Sequence, residues 1–333
     1  MNHQQKITHC LCCPRGCGVN RLEGQTGFCG VASGIHNPHQ TANPTRADTM
    51  QTLMPKRVEK HCLVPVSHAG LHFGEEPPIS GFCGSGTIFF CGCNLKCVFC
   101  QNYQISQHFK DGSYQTLSCQ ELAAKMLTLQ DQGAHNINLV SPTHVVFQVA
   151  DAIKLARDKG LVIPIVYNSN GYDAVDMLRE IKGLIDIYLP DIKYMEHHVA
   201  KEYSSAENYP DIIPAVLNEM FKQVGDLKLD ANGMAVRGLL VRHLVLPHHI
   251  TNSKKCLEVI ADLSINTCVS LMSQYAPRHL APSYAKISAP LLKDEYDEIT
   301  EHALNLGLEN AFIQELSSHK EYLPDFSQTK PFG

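Results

Sequence analysis

The chain has 333 residues, 14 cysteines and a formal net charge of −5 at pH 7, and 44% of its residues are hydrophobic. This length is enough for one large core, and the small acidic excess argues against nucleic acid or an anionic membrane as the main partner. No apolar run approaches the roughly 18 residues of a membrane span, and Met1–Thr8 lacks a signal-peptide core. We therefore expect a cytoplasmic protein whose cysteines bind metal rather than form disulfides.

Residues 1–80 show little periodicity and many Pro, Gly, Asn, Thr and His residues, which predicts a loop-rich N-terminal extension. Cys10, Cys13, Cys17 and Cys29 supply four thiolates within 20 residues of this extension. Four thiolates are enough for a closed tetrahedral zinc site or for a second iron–sulfur cluster. The spacing does not separate these two centres, and unliganded thiols are the alternative.

From Gly86 onwards, short apolar runs alternate with helical patterns. The predicted strands are 86–90, 136–140, 162–168, 185–192, 237–246, 268–274 and 310–316. The capping box Ser118-x-x-Glu121 opens the first of the predicted helices. This alternation predicts an α/β fold with a parallel sheet, either doubly wound or a barrel, over residues 81–320, followed by a tail at 321–333.

Three cysteines follow the predicted strand 86–90 with the spacing C-x3-C-x2-C, at Cys93, Cys97 and Cys100. Iron–sulfur cubes are normally held by four thiolates. Three thiolates leave the fourth iron open to a ligand from outside the protein. Buried or disulfide-bonded cysteines, and a zinc knuckle completed by Cys91, are the alternatives.

Several predicted strands end in polar residues. The period of a strand puts Asp191 and Lys193 on one face, so they would pair with each other or with a zwitterionic ligand, unless they are a solvated pair at the strand end. The guanidinium of Arg242 suits the carboxylate of a ligand; a structural ion pair within the protein is the alternative. Asn168 would read a ribose hydroxyl or cap a turn. Phe99 would offer a flat apolar face beside the metal.

The cysteine loop resembles that of the radical S-adenosylmethionine (SAM) superfamily, whose motif is C-x3-C-x-aromatic-C. Over roughly residues 10–315 the chain is more closely similar to homologues of the pyruvate formate-lyase activating enzyme. The segments that carry this second resemblance are 13–21, 74–81, 168–172, 188–194 and 237–247. The resemblance implies a partial (β/α)6 TIM-like barrel, open on one side.

The resemblance also implies the activity. A [4Fe–4S] cluster on the three loop cysteines would bind SAM and, when an external one-electron donor such as a flavodoxin or ferredoxin reduces it, cleave SAM to a 5′-deoxyadenosyl radical that abstracts hydrogen. The hydrogen donor would be the glycine of a glycyl-radical enzyme, or else a small molecule or another protein or peptide. A non-catalytic iron–sulfur electron carrier is the alternative of another class. Asp191, Lys193, Phe99, Asn168 and Arg242 would contact SAM.

One departure from the activating enzymes concerns the amino group of SAM. Those enzymes usually carry Gly-Gly-Glu-Pro after the second strand, whereas this chain has Ser141-Pro-Thr-His144. Ser141 and Thr143 can replace some contacts, but the acid is missing. Either Glu75 or Glu76 folds back to supply it, or both lie in an exposed loop.

Overall fold

A computed structural model describes residues 3–32, 63–109, 113–316, 323–328 and 331–332 of the chain. Its strands are β1 Leu63–His72, β2 Ser85–Phe90, β3 Gln115–Ser118, β4 Ile137–Val140, β5 Ile165–Ser169, β6 Ile187–Pro190, β7 Lys228–Leu229, β8 Ala235–Leu244, β9 Cys268–Met272 and β10 Ala311–Ile313. Its α-helices are α1 His3–Thr8, α2 Pro77–Ser80, α3 Tyr103–Ser106, α4 Cys119–Asp131, α5 Val146–Asp158, α6 Val175–Glu180, α7 His197–Ser204, α8 Tyr209–Val224, α9 Ile250–Leu263 and α10 Lys293–Asn305. In this described part, no helix has the length and apolar character needed to cross a membrane.

The described strands form one sheet in the order β10-β9-β8-β6-β5-β4-β2-β1-β3, and β7 pairs with β8 beside this path. All neighbours from β2 to β10 are parallel, while β1 runs antiparallel to both β2 and β3. At least one helix follows each of β2, β4, β5, β6, β8 and β9, which gives six β/α units. Among the described residues the two end strands do not pair with each other. The predicted partial (β/α)6 barrel, open on one side, is confirmed.

The parallel strands occur where the sequence predicts them, with differences at their ends. The clearest difference is in β5, which begins at Ile165 rather than at residue 162. Pro164 precedes it, and proline has no N–H to donate to a neighbouring strand. Its carbonyl still accepts a hydrogen bond from Ile137 N at 2.9 Å. The ladder between β4 and β5 therefore starts only after the proline.

The inner face of the sheet is apolar near the amino ends of the strands and polar near the carboxyl ends. Leu189 of β6 and Leu240 of β8 pack with Ile79 of α2 in a buried apolar cluster. Two residues later, and so on the same face, come Asp191 and Arg242. Helix α2 thus closes the amino end of the barrel, which leaves a polar cavity at the carboxyl end.

The predicted N-terminal extension contributes to the sheet. Strand β1 pairs with β2 from Val66 to His72, although the sequence places the barrel boundary at residue 81. Pro65 and Gly70 interrupt the strand pattern of this segment, which explains why the pattern does not predict it. Residues 33–62, also assigned to the extension, lie outside the described residues.

The predicted capping box at the start of α4 is present. Ser118 Oγ accepts a hydrogen bond from Glu121 N at 3.2 Å, and Ser118 N donates to Glu121 Oε2 at 2.8 Å. These two bonds satisfy backbone N–H groups that have no partner within the helix. The buried face of α4 then packs against the sheet through Leu122, Met126 and Leu129.

We predict that Ser118→Ala lowers the free energy of unfolding by about 1 kcal/mol, because it removes the cap of α4. Urea denaturation of the anaerobically purified protein measures this. Gln120→Ala, at an exposed position of the same helix, is the matched control and should change the free energy by less than about 0.5 kcal/mol. Equal effects of the two substitutions would contradict the role of the cap.

Candidate active site

The loop after β2 brings the three predicted cluster cysteines to the cavity at the carboxyl end of the barrel. Cys93, Cys97 and Cys100 all line this cavity, which has a volume of about 250 Å³. Cys91 is completely buried, is not part of the lining, and its carbonyl accepts a hydrogen bond from the ring of His144 at 2.7 Å. Three thiols, without the fourth one that a zinc knuckle would require, therefore face the cavity.

Polar groups from three different elements contact the sulfur atoms. Ser204 Oγ donates to Cys97 Sγ at 3.0 Å, and Asn170 Nδ2 donates to Cys93 Sγ at 3.3 Å. Ser106 Oγ lies 3.3 Å from Cys100 Sγ. Hydrogen bonds of this kind favour thiolate over thiol. Sequence reasoning missed Ser204 and Asn170 because they come from segments far away along the chain; Ser106 lies six residues after Cys100, and no pattern marks it as a partner.

Burial governs the protonation of these thiols. Desolvation raises the pKa of Cys97, although the charge of Lys193 acts in the opposite direction. Desolvation likewise raises the pKa of Cys100 to about 12. Both groups are thus protonated at neutral pH until a metal displaces the protons. Among the described residues, no three His, Cys, Asp or Glu side chains converge on one metal ion; in an iron–sulfur cube each thiolate binds its own iron.

Asp191 and Lys193 follow β6 and both line the cavity, as the strand period predicts. Lys193 Nζ donates to Asp191 Oδ2 at 2.6 Å, so the two charges pair with each other. Burial lowers the pKa of Lys193, but Asp191 and the thiols of Cys97 and Cys100 more than offset this and raise it. The ammonium group therefore stays charged beside the cysteine loop.

The other predicted SAM residues also surround the cavity. Asn168 lies at the end of β5, and Phe99 packs edge-on against Tyr275, with ring centroids 6.0 Å apart. Gln274 lines the cavity as well. These positions make contact with SAM possible, and the contact itself stays a prediction.

Arg242 forms a buried ion cluster with Glu75 and Glu76. Its Nε donates to Glu76 Oε1 at 2.8 Å, and its Nη2 contacts both carboxylates. Asn138 Nδ2 adds a hydrogen bond to Glu75 Oε1 at 2.7 Å. We call Arg242, Glu75 and Glu76 the charged floor of the cavity, since they join β8 to the segment that leads into α2. Of the three, Arg242 and Glu75 line the cavity.

The placement of Glu75 and Glu76 corrects one of the two sequence expectations. Their side chains are only 9% and 7% exposed, so the exposed-loop alternative is wrong. The segment has no periodicity that could reveal this. It is held inside the barrel by the buried residues Pro78 and Ile79 of α2, with Ile79 completely buried. Arg242 is likewise engaged by these carboxylates, which matches the structural ion pair that the sequence left open.

The charged floor makes stability depend on pH. Burial alone would raise the pKa of Glu76, but the charge and hydrogen bonds of Arg242 outweigh it and hold that pKa below its ordinary value of 4.5. The stabilisation is therefore fully present above pH 4.5 and is lost as the pH falls through the lower folded-state pKa.

The segment in place of Gly-Gly-Glu-Pro offers one side chain to the cavity. Ser141 lines it, with a left-handed backbone (φ 57°). Thr143 is buried and donates instead to Asp173 Oδ1 at 2.7 Å. Only Ser141 of the two predicted replacements is thus placed to meet a ligand. His243 is also buried, and desolvation lowers its pKa to about 4.

Residues near the C-terminus complete the wall of the cavity. Pro324 and Phe332 line it, and the Phe332 ring lies 4.2 Å from that of His72 and 5.4 Å from that of Phe89. The sequence assigns 321–333 only as a tail, because this short segment has no pattern of its own. The described part of the tail therefore belongs to the site.

The four N-terminal cysteines do not line this cavity. Cys10 and Cys29 interact with the charge of Arg21, while Cys13 and Cys17 interact with Cys29. Their contacts are described below.

We predict that Arg242→Met lowers the free energy of unfolding by about 3–5 kcal/mol, because two carboxylates then stay buried without a cation. Adding Glu75→Gln and Glu76→Gln to this variant should restore more than half of the loss. Urea denaturation at pH 7 measures both variants. A loss below about 1 kcal/mol for Arg242→Met, or no recovery in the triple variant, would show that the floor does not depend on this ion cluster.

Three known families or proteins are similar to this chain. Residues 87–222 match the family model of the Radical SAM superfamily. The uncharacterized protein MJ0674 of Methanocaldococcus jannaschii is 29% identical over 310 residues, which cover 90% of this chain and 76% of that protein. The crystal structure of methylornithine synthase (PylB) matches with a TM-score of 0.46 and 14% identity, over 66% of this chain and 60% of that one. Residues 87–222, which include the three loop cysteines, are therefore similar to the Radical SAM superfamily.

Proposed function

We propose that this protein cleaves SAM reductively and uses the resulting 5′-deoxyadenosyl radical to abstract a hydrogen atom from a substrate in the barrel. The observation that carries the proposal is the group of three cavity-lining thiols, Cys93, Cys97 and Cys100, within the segment that matches the family model of the Radical SAM superfamily. A [4Fe–4S] cluster held there supplies the electron that breaks the carbon–sulfur bond of SAM. An external one-electron donor such as a flavodoxin or ferredoxin would reduce it.

The residues around these thiols suit such a cluster. Each sulfur has a polar neighbour, as described for Ser204, Asn170 and Ser106. The ammonium group of Lys193 adds positive charge close enough to lower the pKa of Cys97. Hydrogen bonds and nearby cations are the means by which proteins stabilise thiolate ligands. The donor set therefore fits an anionic cluster with one iron left for SAM.

The remaining cavity residues would hold and shield SAM. The paired charges of Asp191 and Lys193 can exchange partners with the amino and carboxylate groups of the methionine part. Asn168 would meet the ribose, and Phe99 would cover the apolar side and exclude water. In this scheme the protein binds and orients the reactants and excludes water from them, while the cofactors would supply the bond-breaking chemistry.

Two substrates are candidates. The resemblance to activating enzymes favours the glycine of a glycyl-radical enzyme. The charged floor favours a small polar molecule instead, because two carboxylates face a single guanidinium there and leave one negative charge unbalanced. A positively charged group of the substrate would balance that charge. A backbone glycine carries no such group.

The third hypothesis is a non-catalytic electron carrier, and the lining of the cavity argues against it. Electron transfer requires only a cluster near the surface. It needs neither polar side chains from several strand ends nor a buried ion cluster beneath them. We therefore place this reading behind the two enzymatic ones.

We predict that the protein, reconstituted anaerobically with iron and sulfide and then reduced, forms 5′-deoxyadenosine from added SAM. Cys97→Ala should abolish the product, because one iron loses its ligand. Cys256→Ala removes a buried thiol far from the loop in sequence and is the matched control. Chromatographic quantification of the product measures this. A reducible cluster without product, or equal product from Cys97→Ala, would contradict SAM cleavage at this cluster.

The two substrates can be separated with a cell extract divided by ultrafiltration. We expect the low-molecular-weight filtrate to raise 5′-deoxyadenosine formation at least tenfold over SAM alone. Stimulation by the retained macromolecules, together with a glycyl-radical signal in electron paramagnetic resonance, would instead identify an activase. That outcome would exclude a small molecule as the main substrate.

A further inference from the structure

The N-terminal segment holds a second group of thiols outside the cavity. Cys29 interacts electrostatically with Cys10 and Cys17, and Cys13 with Cys29 and Cys10. Cys10 and Cys29 are buried, whereas Cys13 and Cys17 are half-buried. The backbone N–H of Phe28 also points at Cys17 Sγ, at 3.4 Å. These interactions connect the four thiols, which are spread over 20 residues of chain, although no three of them converge on a single ion.

A buried arginine stands beside this group without an ordinary counter-charge. The side chain of Arg21 is 0% exposed, and its Nε and Nη2 have no hydrogen-bond partner among the described residues. Its Nη1 donates to the carbonyl of His144 and lies 3.9 Å from Cys12 Sγ. No described carboxylate forms an ion pair with it; the groups whose charges raise the pKa of Arg21 are the thiols of Cys29, Cys12 and Cys10.

Burying a guanidinium costs several kcal/mol unless an anion lies close to it. Here the anion has to come from sulfur. A hydrogen bond with Cys12 and the charge of Arg21 outweigh burial and lower the pKa of Cys10 to about 5, so one thiolate already faces the guanidinium. This thiolate leaves Nε and Nη2 of Arg21 without an acceptor. Four thiolates on an iron–sulfur core leave that centre anionic, and its sulfur atoms can accept hydrogen bonds from such N–H groups.

We propose that Cys10, Cys13, Cys17 and Cys29 bind a second iron–sulfur cluster, with Arg21 as its buried counter-charge. No three of the described His, Cys, Asp or Glu side chains converge on one metal ion, which argues against zinc, whereas in an iron–sulfur cube each thiolate binds its own iron. The spacing supplies the four ligands, and the unpartnered N–H groups of Arg21 are an independent observation that an acceptor belongs beside them. Gly16 and Gly18 adopt left-handed backbone conformations (φ 50° and 66°) that turn the chain around the site. This proposal does not depend on SAM chemistry.

The second centre would also support the cysteine loop. Arg15 from the same segment donates to the carbonyl of Asn94 at 2.8 Å and to that of Ser204 at 3.0 Å. Asn170 donates both to Asn94 Oδ1 at 2.8 Å and to Cys93 Sγ at 3.3 Å. The N-terminal segment is therefore connected by hydrogen bonds to the loop that carries the first three cysteines.

The test uses the full chain with Cys93→Ala, Cys97→Ala and Cys100→Ala, so that the first site cannot bind metal. One arm loads this triple variant with iron(II) and sulfide under anaerobic conditions, and the other loads it with zinc(II) alone. We expect it to keep about four irons and four sulfides per chain in the first arm and no stoichiometric zinc in the second. Metal and sulfide analysis after desalting distinguishes the two centres.

Further substitutions in the triple variant locate the ligands. Cys17→Ala or Cys29→Ala should remove the metal, whereas Cys12→Ala, which deletes a neighbouring thiol beside Arg21, should keep it. Arg21→Met should lower the affinity for the metal about 10–100-fold in competition with a chelator, as loss of an outer-shell partner does. If a further cysteine substitution prevents folding, the metal content of the triple variant itself, whose N-terminal segment is intact, still tests the proposal.

Two results would overturn the proposal. The first is a triple variant that retains no iron and sulfide after desalting, whether or not it retains zinc, in which case a free thiolate balances Arg21. The second is a metal content that Cys17→Ala and Cys29→Ala leave unchanged. Neither result bears on SAM cleavage by the wild-type protein, so the two proposals fail separately.

Discussion

The compensation of buried charge is the constraint on which this site depends. Arg242 and Lys193 lie in the barrel away from bulk water, and an isolated ion in such a place costs several kcal/mol. Arg242 is met by Glu75 and Glu76, and Lys193 by Asp191. The ion pairs of Arg242 join the end of β8 to the segment before α2, and the pair of Lys193 and Asp191 lies at the end of β6. They therefore fix the shape of the cavity as well as its charge.

A buried carboxylate organises the loops beside the cysteines in a similar way. Asp173 accepts hydrogen bonds from the hydroxyls of Thr143, Tyr167 and Ser169, at 2.7, 2.9 and 2.7 Å. Burial nevertheless raises its pKa, which shows how far it lies from water. The loop it anchors carries Asn170, whose amide reaches Cys93 Sγ. The position of a cluster ligand thus depends on packing at the ends of β4 and β5.

Local patterns predicted much of this arrangement, and long-range contacts explain the rest. The strand period placed Asp191 and Lys193 on the cavity face, and the alternation of strands and helices indicated a parallel sheet. The spacing of the three loop cysteines was enough to predict that they act together at one site. Glu75, Glu76 and the strand β1 could not be predicted, because their segments have no periodicity and are positioned by Arg242 and α2. The contact of Arg21 with the carbonyl of His144 could not be predicted either, because the two residues are 123 positions apart in the chain.

The central claim is that one iron of the cluster is left open for SAM. Electron–nuclear double resonance tests this on the reduced, reconstituted protein mixed with SAM that carries ¹⁵N in its amino group or ¹⁷O in its carboxylate. We predict that the labelled nuclei couple to the spin of the reduced cluster, because both groups bind the iron that lacks a cysteine. A reduced cluster that shows no coupling while SAM is bound would contradict the claim.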